Sequence, residues 1–425
     1  MVHDFLVLLE CEESVKILVQ KFIYERKNVF LQKIEIMIKE ISIKNYKSVV
    51  NQNLDLGMFN VVIGANGCGK SNLLEAIALA GLSCSGALLP ELFESRGIRV
   101  TDNRFMRSAF DDVDEEFIQI LVTTMDGDIS SYQIHYNMSK KPAQWEDVVE
   151  EGTNEWFHSM IENRDTINAS EIMPVVENLM KTKGEDRKLN VSFVTDNNVL
   201  RVSKSRVNGL KTFTIYSLEE SALRSMEGMP STKLGRTGKG LLPYLKELSQ
   251  TDEGKELLME IKENMMVIDW FEDLDMPESG LSQDSTLKLK DRYVDEALEF
   301  FDQRNANEAF LYLLFYFTLF ISDETPSFFA IDNIEASLNP KLCKEVIKKL
   351  AILAEKHGKQ VILTTHSPFV LDGIEEVTEK KQLFVASRNS DGHTVVSKIK
   401  ADATRTVPLS EAWLKGYIGG LPNNF

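Results

Sequence analysis

Residues 64 to 72 read GANGCGKSN and follow the apolar run FNVVI. The glycines at 64, 67 and 69, with Lys70 and Ser71 closing the run, fit the phosphate-loop spacing G-x-x-x-x-G-K-[ST]. Glycines let successive backbone amides converge on phosphate oxygens, and the helix that follows turns its positive end toward them. Lys70 adds a full charge, and Ser71 is placed to ligate Mg²⁺. The residues expected against a nucleotide are therefore Gly64, Asn66, Gly67, Cys68, Gly69, Lys70, Ser71 and Asn72. Far downstream, Asp332 ends the run SFFAI, where an acidic partner for Mg²⁺ belongs, although an Asp after a strand also serves as a cap or turn residue. His366 follows VILTT at another strand end. A histidine there can donate to a terminal phosphate, or cap the helix that begins near Pro368.

The elements that must carry these groups can be read from periodicity and turn residues. Residues 37–63 read as strand, turn, strand and then a buried strand into the glycine loop, and SNLLEAIALAGL opens a helix. Residues 117–137 read as a hairpin turned at Asp126-Gly127. The run AFLYLLFYFTLFI, residues 309–321, is too short to cross a bilayer and predicts a buried helix over 308–321. SFFAI is a strand, and a helix follows with Asn339 as its cap, Pro340 at its first position and Gly358 closing it. QVILTT is a strand, and KQLFVASRN pairs with HTVVSKIK through Asp391-Gly392. Buried strands alternating with helices predict an α/β fold around a mixed, mostly parallel sheet covered on both faces.

Between these halves the pattern changes. Charged segments such as KTKGEDRK alternate with short strands, KLNVSFVT and KTFTIYSL. The chain divides on this reading into an N-terminal extension (1–36), a first half of the core domain (37–140), a helix-rich insertion (141–300) and a second half (301–425). An independent second domain is the alternative for 141–300. The extension reads as a mildly amphipathic helix and not as a signal peptide, since acidic residues follow its apolar patch.

Bulk composition narrows the class. The 425 residues are 43% hydrophobic and 27% charged, an ordinary globular mixture. A net charge of −17, with pI near 5.0, argues against a surface coated with non-specific nucleic-acid contacts, although a local basic groove stays open. The four cysteines, at 11, 68, 84 and 343, have no metal or disulfide spacing, which points to a reduced cytoplasmic setting.

The ordered set IKNYKSVVNQNLDLGMFNVVIGANGCGKSNLLEAI, NEAFLYLLFYFTLF, FFAIDNIEASLNP and VILTTHSPF resembles the ATP-binding-cassette heads of the SMC, RecF and OLD families. The likeness is nearest to stand-alone OLD-like or RecF-like ATPases of prokaryotic defence and toxin-like operons. It implies ATP and Mg²⁺ as ligands, with Lys70 and Ser71 as the Walker A pair, Asp332 as the Walker B acid and His366 as the switch histidine. It also implies a head-to-head homodimer, possibly a higher oligomer, with two ATPs sandwiched between subunits. Residues 336–339 would cross to the partner. Residues 306–309, with Asn307 and Glu308, would stand at the signature turn that closes over a partner's terminal phosphate. The segment 230–248 resembles a family segment in which Lys233, Arg236 and Lys239 face phosphate or DNA, or else form a solvated loop.

Two residues depart from the pattern. The Glu that normally follows Walker B is Asn333, which can orient water but cannot take its proton. Glu335, two residues on, is the candidate substitute. Ala309 stands where the signature turn carries Gly, and its methyl would crowd the γ-phosphate. The leading expectation is a slowly hydrolysing, homodimeric ATP switch in anti-phage defence, with no membrane contact. The 58 residues after 367 hold no D-x-D pair, too little for a Toprim nuclease, so a separate effector, nuclease or toxin, is expected. The alternatives are a RecF-like DNA-binding ATPase, a transporter ATPase and an inactive nucleotide-stabilised scaffold.

Overall fold

The computed structural model describes residues 37–110, 113, 116–127, 129–139, 144–147, 190–195, 198–203, 208–228, 234–276, 287–295, 301–374, 377–400 and 407–421. The helix expected within 1–36 and the basic residue Lys233 lie outside them. Strands β1 (Ile38–Tyr46) and β2 (Val49–Asp55) form a hairpin whose two-residue turn, Lys47-Ser48, holds Lys47 at φ +46°. Strand β3 (Phe59–Ile63) is buried at every position and runs into the glycine loop. Strands β4 (Ile118–Thr124) and β5 (Ile129–Asn137) pair as the Asp126-Gly127 hairpin, with Gly127 at φ +90°.

A second set of strands forms a different sheet. It holds β6 (Ile215–Tyr216), β7 (Phe328–Ile331), β8 (Gln360–Thr365), β9 (Lys381–Arg388) and β10 (Thr394–Ile399) in the order β10-β9-β3-β8-β7-β6. All neighbours are parallel except β9 and β10. The expected mixed, mostly parallel sheet is therefore present, and β1, β2, β4 and β5 make a second, antiparallel sheet beside it, extended by Gln144–Asp147, Asn190–Thr195 and Asn198–Ser203. The burial pattern gives the reason. β2 alternates buried and open positions, so one face must meet water, whereas β3, β7 and β8 are buried on both faces.

Helix α1 (Lys70–Cys84) lies between the two sheets. Thirteen of its fifteen residues are buried, too many for one amphipathic stripe and as expected of a helix covered on two sides. Ile41, Ile43 and Ile120 of the antiparallel sheet, Leu73, Leu74 and Ile77 of α1, and Phe328, Ile362 and Phe384 of the parallel sheet share one buried hydrophobic cluster. The opposite face of the parallel sheet is covered by α2 (Leu241–Leu248), α3 (Asp252–Met265), α4 (Glu308–Ile321) and α5 (Pro340–Lys356). The apolar run 309–321 is the buried helix its length implied. Asn339 caps α5 by accepting from the Leu342 amide at 3.0 Å.

Only Ile215 and Tyr216 of the expected strand KTFTIYSL pair, and residues 208–211 are helical. Short as it is, β6 joins the parallel sheet beside β7, and α2 and α3 enter the same core as α4. Part of the 141–300 stretch thus packs inside the core domain.

Candidate nucleotide site

Parallel pairing brings the separated motifs to one edge. Thr365 of β8 stands opposite Ile63 of β3, and Leu363 stands opposite Ile331 of β7. The glycine loop, Asp332 and His366 therefore leave three adjacent strands at their carboxyl ends, the side on which open α/β sheets bind ligands. Glycine is required at two loop positions. A Cβ on Gly64 would collide with the Ala386 carbonyl oxygen, and Gly69, at φ +106°, leaves no room beside Thr394 Oγ1. Lys70 is only 7% exposed, and its Nζ donates to the carbonyls of Gly64 (2.7 Å) and Ala65 (3.1 Å). It has no carboxylate partner among the described residues, so its charge is available to a phosphate.

Ser71 and Asp332, 261 residues apart, are joined directly: Ser71 Oγ donates to Asp332 Oδ2 at 3.0 Å. A hydroxyl and a carboxylate presented together suit Mg²⁺, which takes few protein oxygens and fills its octahedron with water and phosphate. Thr364 Oγ1 donates to the other carboxylate oxygen and accepts from the Asn333 amide at 3.0 Å. Sequence reasoning missed this threonine. The signal was present, since two hydroxyls close an otherwise apolar core strand.

Asn333 is exposed and sits at φ +57°, in a turn closed by the Ala336 amide donating to its carbonyl at 3.0 Å. Asn tolerates the left-handed region well, whereas a longer side chain there costs about 1 kcal/mol. Glu335 leaves the same turn toward β8. Its carboxylate accepts from Thr365 Oγ1 (2.7 Å) and from the His366 amide (3.0 Å), and it lies 2.8 Å from His366 Nδ1. With Asn333 in place of a glutamate, any ATP turnover is expected to be slow, on the order of one per minute or less against roughly 1 to 10³ per second for typical enzymes, and Asn333→Glu is expected to speed it. The gain is offset by about 1 kcal/mol of backbone strain. Phosphate release at saturating ATP is the measurement, and unchanged or slower release would show that a carboxylate at 333 is misplaced.

The loop is braced from the far end of the chain. Thr394 Oγ1 donates to the Cys68 carbonyl (2.9 Å) and bonds Ser48 Oγ (2.7 Å), while Arg388 Nε donates to the Gly67 carbonyl (3.0 Å). Cys68 thus serves the loop through its backbone, its thiol buried against Gly64. Asn66 is exposed at the loop tip. Asn72 donates to Ser48 Oγ (2.7 Å) and accepts from Arg99 Nη2 (2.7 Å). Together with Lys47, Phe105, Arg107 and Phe110, these residues line an open cleft of about 390 Å³ beside the loop. The Glu75 side chain, 2% exposed beneath the cleft, pairs with Lys47 and Arg99 and accepts from Tyr46 OH at 3.1 Å. Burial first, then Glu75, pushes the Tyr46 phenol well above its ordinary pKa. Burial lowers the Lys47 ammonium, and Glu75 opposes that shift.

The signature-turn residues stand apart from this constellation. Asn307 caps α4, accepting from the Phe310 amide at 2.8 Å, and Arg224 donates to the Ala306 carbonyl at 2.8 Å. Burial, and then Glu308 one turn away, pushes the Tyr312 phenol up to about 12. In the 336–339 turn, Ser337 sits at φ +61°. Of the basic segment, Lys239 pairs with Glu227 at 2.6 Å, and the Arg236 carbonyl accepts from the Ser217 amide.

A phosphate loop joined to an acidic strand end, a histidine after the strand between them and an antiparallel lobe over the loop helix form the arrangement of a nucleotide-binding ATPase head, the class of protein that the chain resembles. Two family models match parts of the chain. One described as "AAA ATPase domain" matches residues 37–82, and one described as "AAA domain, putative AbiEii toxin, Type IV TA system" matches residues 186–372. No curated protein matches the sequence. Among solved structures, the chain is similar to an SMC head bound to the C-winged helix domain of ScpA (14% identity, 86% of this chain and 98% of that one, TM-score 0.49). It is similar to the SMC head domain from Thermotoga maritima (11%, 86% and 99%, TM-score 0.42). A third is an Smc head with an extended coiled coil bound to the C-terminal domain of ScpA, derived from Pyrococcus furiosus (12%, 89% and 98%, TM-score 0.45).

Proposed function

We propose that this chain is an ATP-driven switch that closes as a head-to-head homodimer, hydrolyses slowly and passes its state to a separate effector. The observation that supports the reading is the Ser71–Asp332 bond near Lys70, which brings a hydroxyl, a carboxylate and a phosphate-loop lysine together from distant parts of the sequence. Ser71 and Asp332 would hold Mg²⁺, which when bound supplies charge neutralisation between the phosphates. Lys70 and the loop amides hold the β- and γ-oxygens, and Asn333 orients water. The cleft lined by Lys47, Asn72, Phe105 and Phe110 takes the nucleoside. Residues 37–140 and 301–425 form the head, to which the 208–276 region contributes a strand and two helices.

A defence or toxin-like setting is supported by the description of the matching model over 186–372. Among the described residues no helix is long and apolar enough to cross a membrane. Since 306–309 and 336–339 lie outside the loop's own contacts, they are the parts available to a partner's triphosphate. Dimerisation is therefore expected with ATP and Mg²⁺, and not with ADP or without nucleotide. Light scattering in the three states measures it, and one unchanging oligomer in all of them would defeat the switch.

A further inference from the structure

We propose that Thr394 is a positioning residue for the phosphate loop, the last member of a hydrogen-bond relay that begins in the open cleft and ends on the Cys68 carbonyl. This rests on reading residues 64–72 as a nucleotide site. A planar trans peptide points its carbonyl and its N–H in opposite directions. A donor that holds the Gly67 carbonyl outward therefore turns the Cys68 amide inward, and the Cys68 carbonyl governs the Gly69 amide in the same way. Both carbonyls are held by the β9–β10 hairpin: Arg388 Nε donates to Gly67 at 3.0 Å, and Thr394 Oγ1 donates to Cys68 at 2.9 Å. The Cys68 amide faces into the loop, toward the Ala65 carbonyl at 3.4 Å, where the Lys70 ammonium also rests.

The direction of the relay follows from counting protons. A carbonyl only accepts, so the single hydroxyl proton of Thr394 goes to Cys68. The Ser48 hydroxyl, 2.7 Å from Thr394 Oγ1, is then the donor between them, and it accepts in turn from Asn72 Nδ2 at 2.7 Å. Asn72 Oδ1 accepts from Arg99 Nη2 at 2.7 Å. Arg99, Asn72 and Ser48 line the cleft, so a ligand seated there touches the far end of the relay. Thr394 is 1% exposed, its amide donates to the Ser48 carbonyl at 2.7 Å, and its hydroxyl fills the space that a side chain on Gly69 would need. Arg388 is exposed, so water can replace its bond to the loop. Loss of the Thr394 bond instead leaves the carbonyl of the buried Cys68 without its donor, and Thr394 carries the larger share.

Loop amides cradle phosphates that ATP and ADP have in common, which sets the test. Thr394→Val keeps the shape of the side chain and removes the hydroxyl. Calorimetry with Mg²⁺ is expected to show T394V binding ATP and ADP alike roughly tenfold more weakly than the wild type does. T394S restores the hydroxyl and should bind both within about threefold of wild type. A residue that only stabilised the fold would lower the melting temperature and leave both affinities of the folded protein unchanged, and that outcome would overturn the assignment. A loss confined to ATP would overturn it too, as would T394S binding as weakly as T394V. Should T394V not fold, S48A breaks the relay one step earlier. A loss of about threefold for both nucleotides is expected there, and unchanged affinities would overturn the relay. Wild-type protein that binds neither nucleotide would instead overturn the nucleotide-site reading, and this proposal with it.

Discussion

Lys70→Ala is expected to weaken ATP binding by roughly ten- to a hundredfold and to bring hydrolysis to background. A charge-assisted hydrogen bond contributes about 1.5–3 kcal/mol, and Lys70 is placed to make such bonds to both β- and γ-oxygens. The residue is 7% exposed and already desolvated, so little of that contribution is lost to water or salt. In the structure its ammonium rests on the Gly64 and Ala65 carbonyls, contacts weaker than phosphate offers. The loop amides and the α1 N-terminus remain in the variant and account for the residual affinity. Calorimetry with ATP and Mg²⁺ gives the affinity, and circular dichroism confirms the fold. A folded K70A that binds ATP as the wild type does would remove the basis for the whole site.

The second large effect is on stability. Glu75→Ala is expected to cost about 3 kcal/mol and to lower the melting temperature by on the order of 5 °C. Arg99 is 62% exposed on its side chain and turns to water when its partner is lost, so it contributes little. Lys47 is 11% exposed and is left as a buried cation, while the Tyr46 hydroxyl loses its acceptor. The pH dependence follows from the Lys47 shift. Burial holds its folded pKa below 10.5, so the unfolded chain binds more protons in that interval, and the lysine's contribution to stability improves as pH rises through it. Glu75 opposes the depression, so its removal widens the interval downward, and the E75A deficit should shrink as pH rises toward 10. Thermal melts of both proteins from pH 7 to 10 measure it. A variant within about 1 °C of wild type at pH 7 would show that the Glu75 cluster contributes nothing to the fold.

Much of the site is legible in the order of residues alone. Glycine, lysine and serine spacing suffices for a phosphate loop, because the chemistry is carried by local backbone amides and one side chain. Asp332 and His366 fall at strand ends because apolar runs of five or six residues bounded by polar ones mark buried strands. Helix 308–321 and the hairpins at 126–127 and 391–392 are legible for the same local reasons.

What the sequence by itself determined is thus a set of local elements, a phosphate loop and a missing glutamate. The tertiary structure decided which strands share a sheet, since β2 alternates and β3 does not, and only packing turns that difference into two layers. It decided that Thr364 ties Asp332 to the Asn333 turn, and that Thr394 and Arg388 brace a loop more than 300 residues upstream. It also decided the part played by Glu335. Sequence spacing offered it as a substitute for the residue beside Asp332, but the left-handed turn at Asn333 directs its carboxylate to Thr365 and His366. A turn of that hand costs little for asparagine and more for other side chains, so the direction in which Glu335 leaves is a property of the folded backbone.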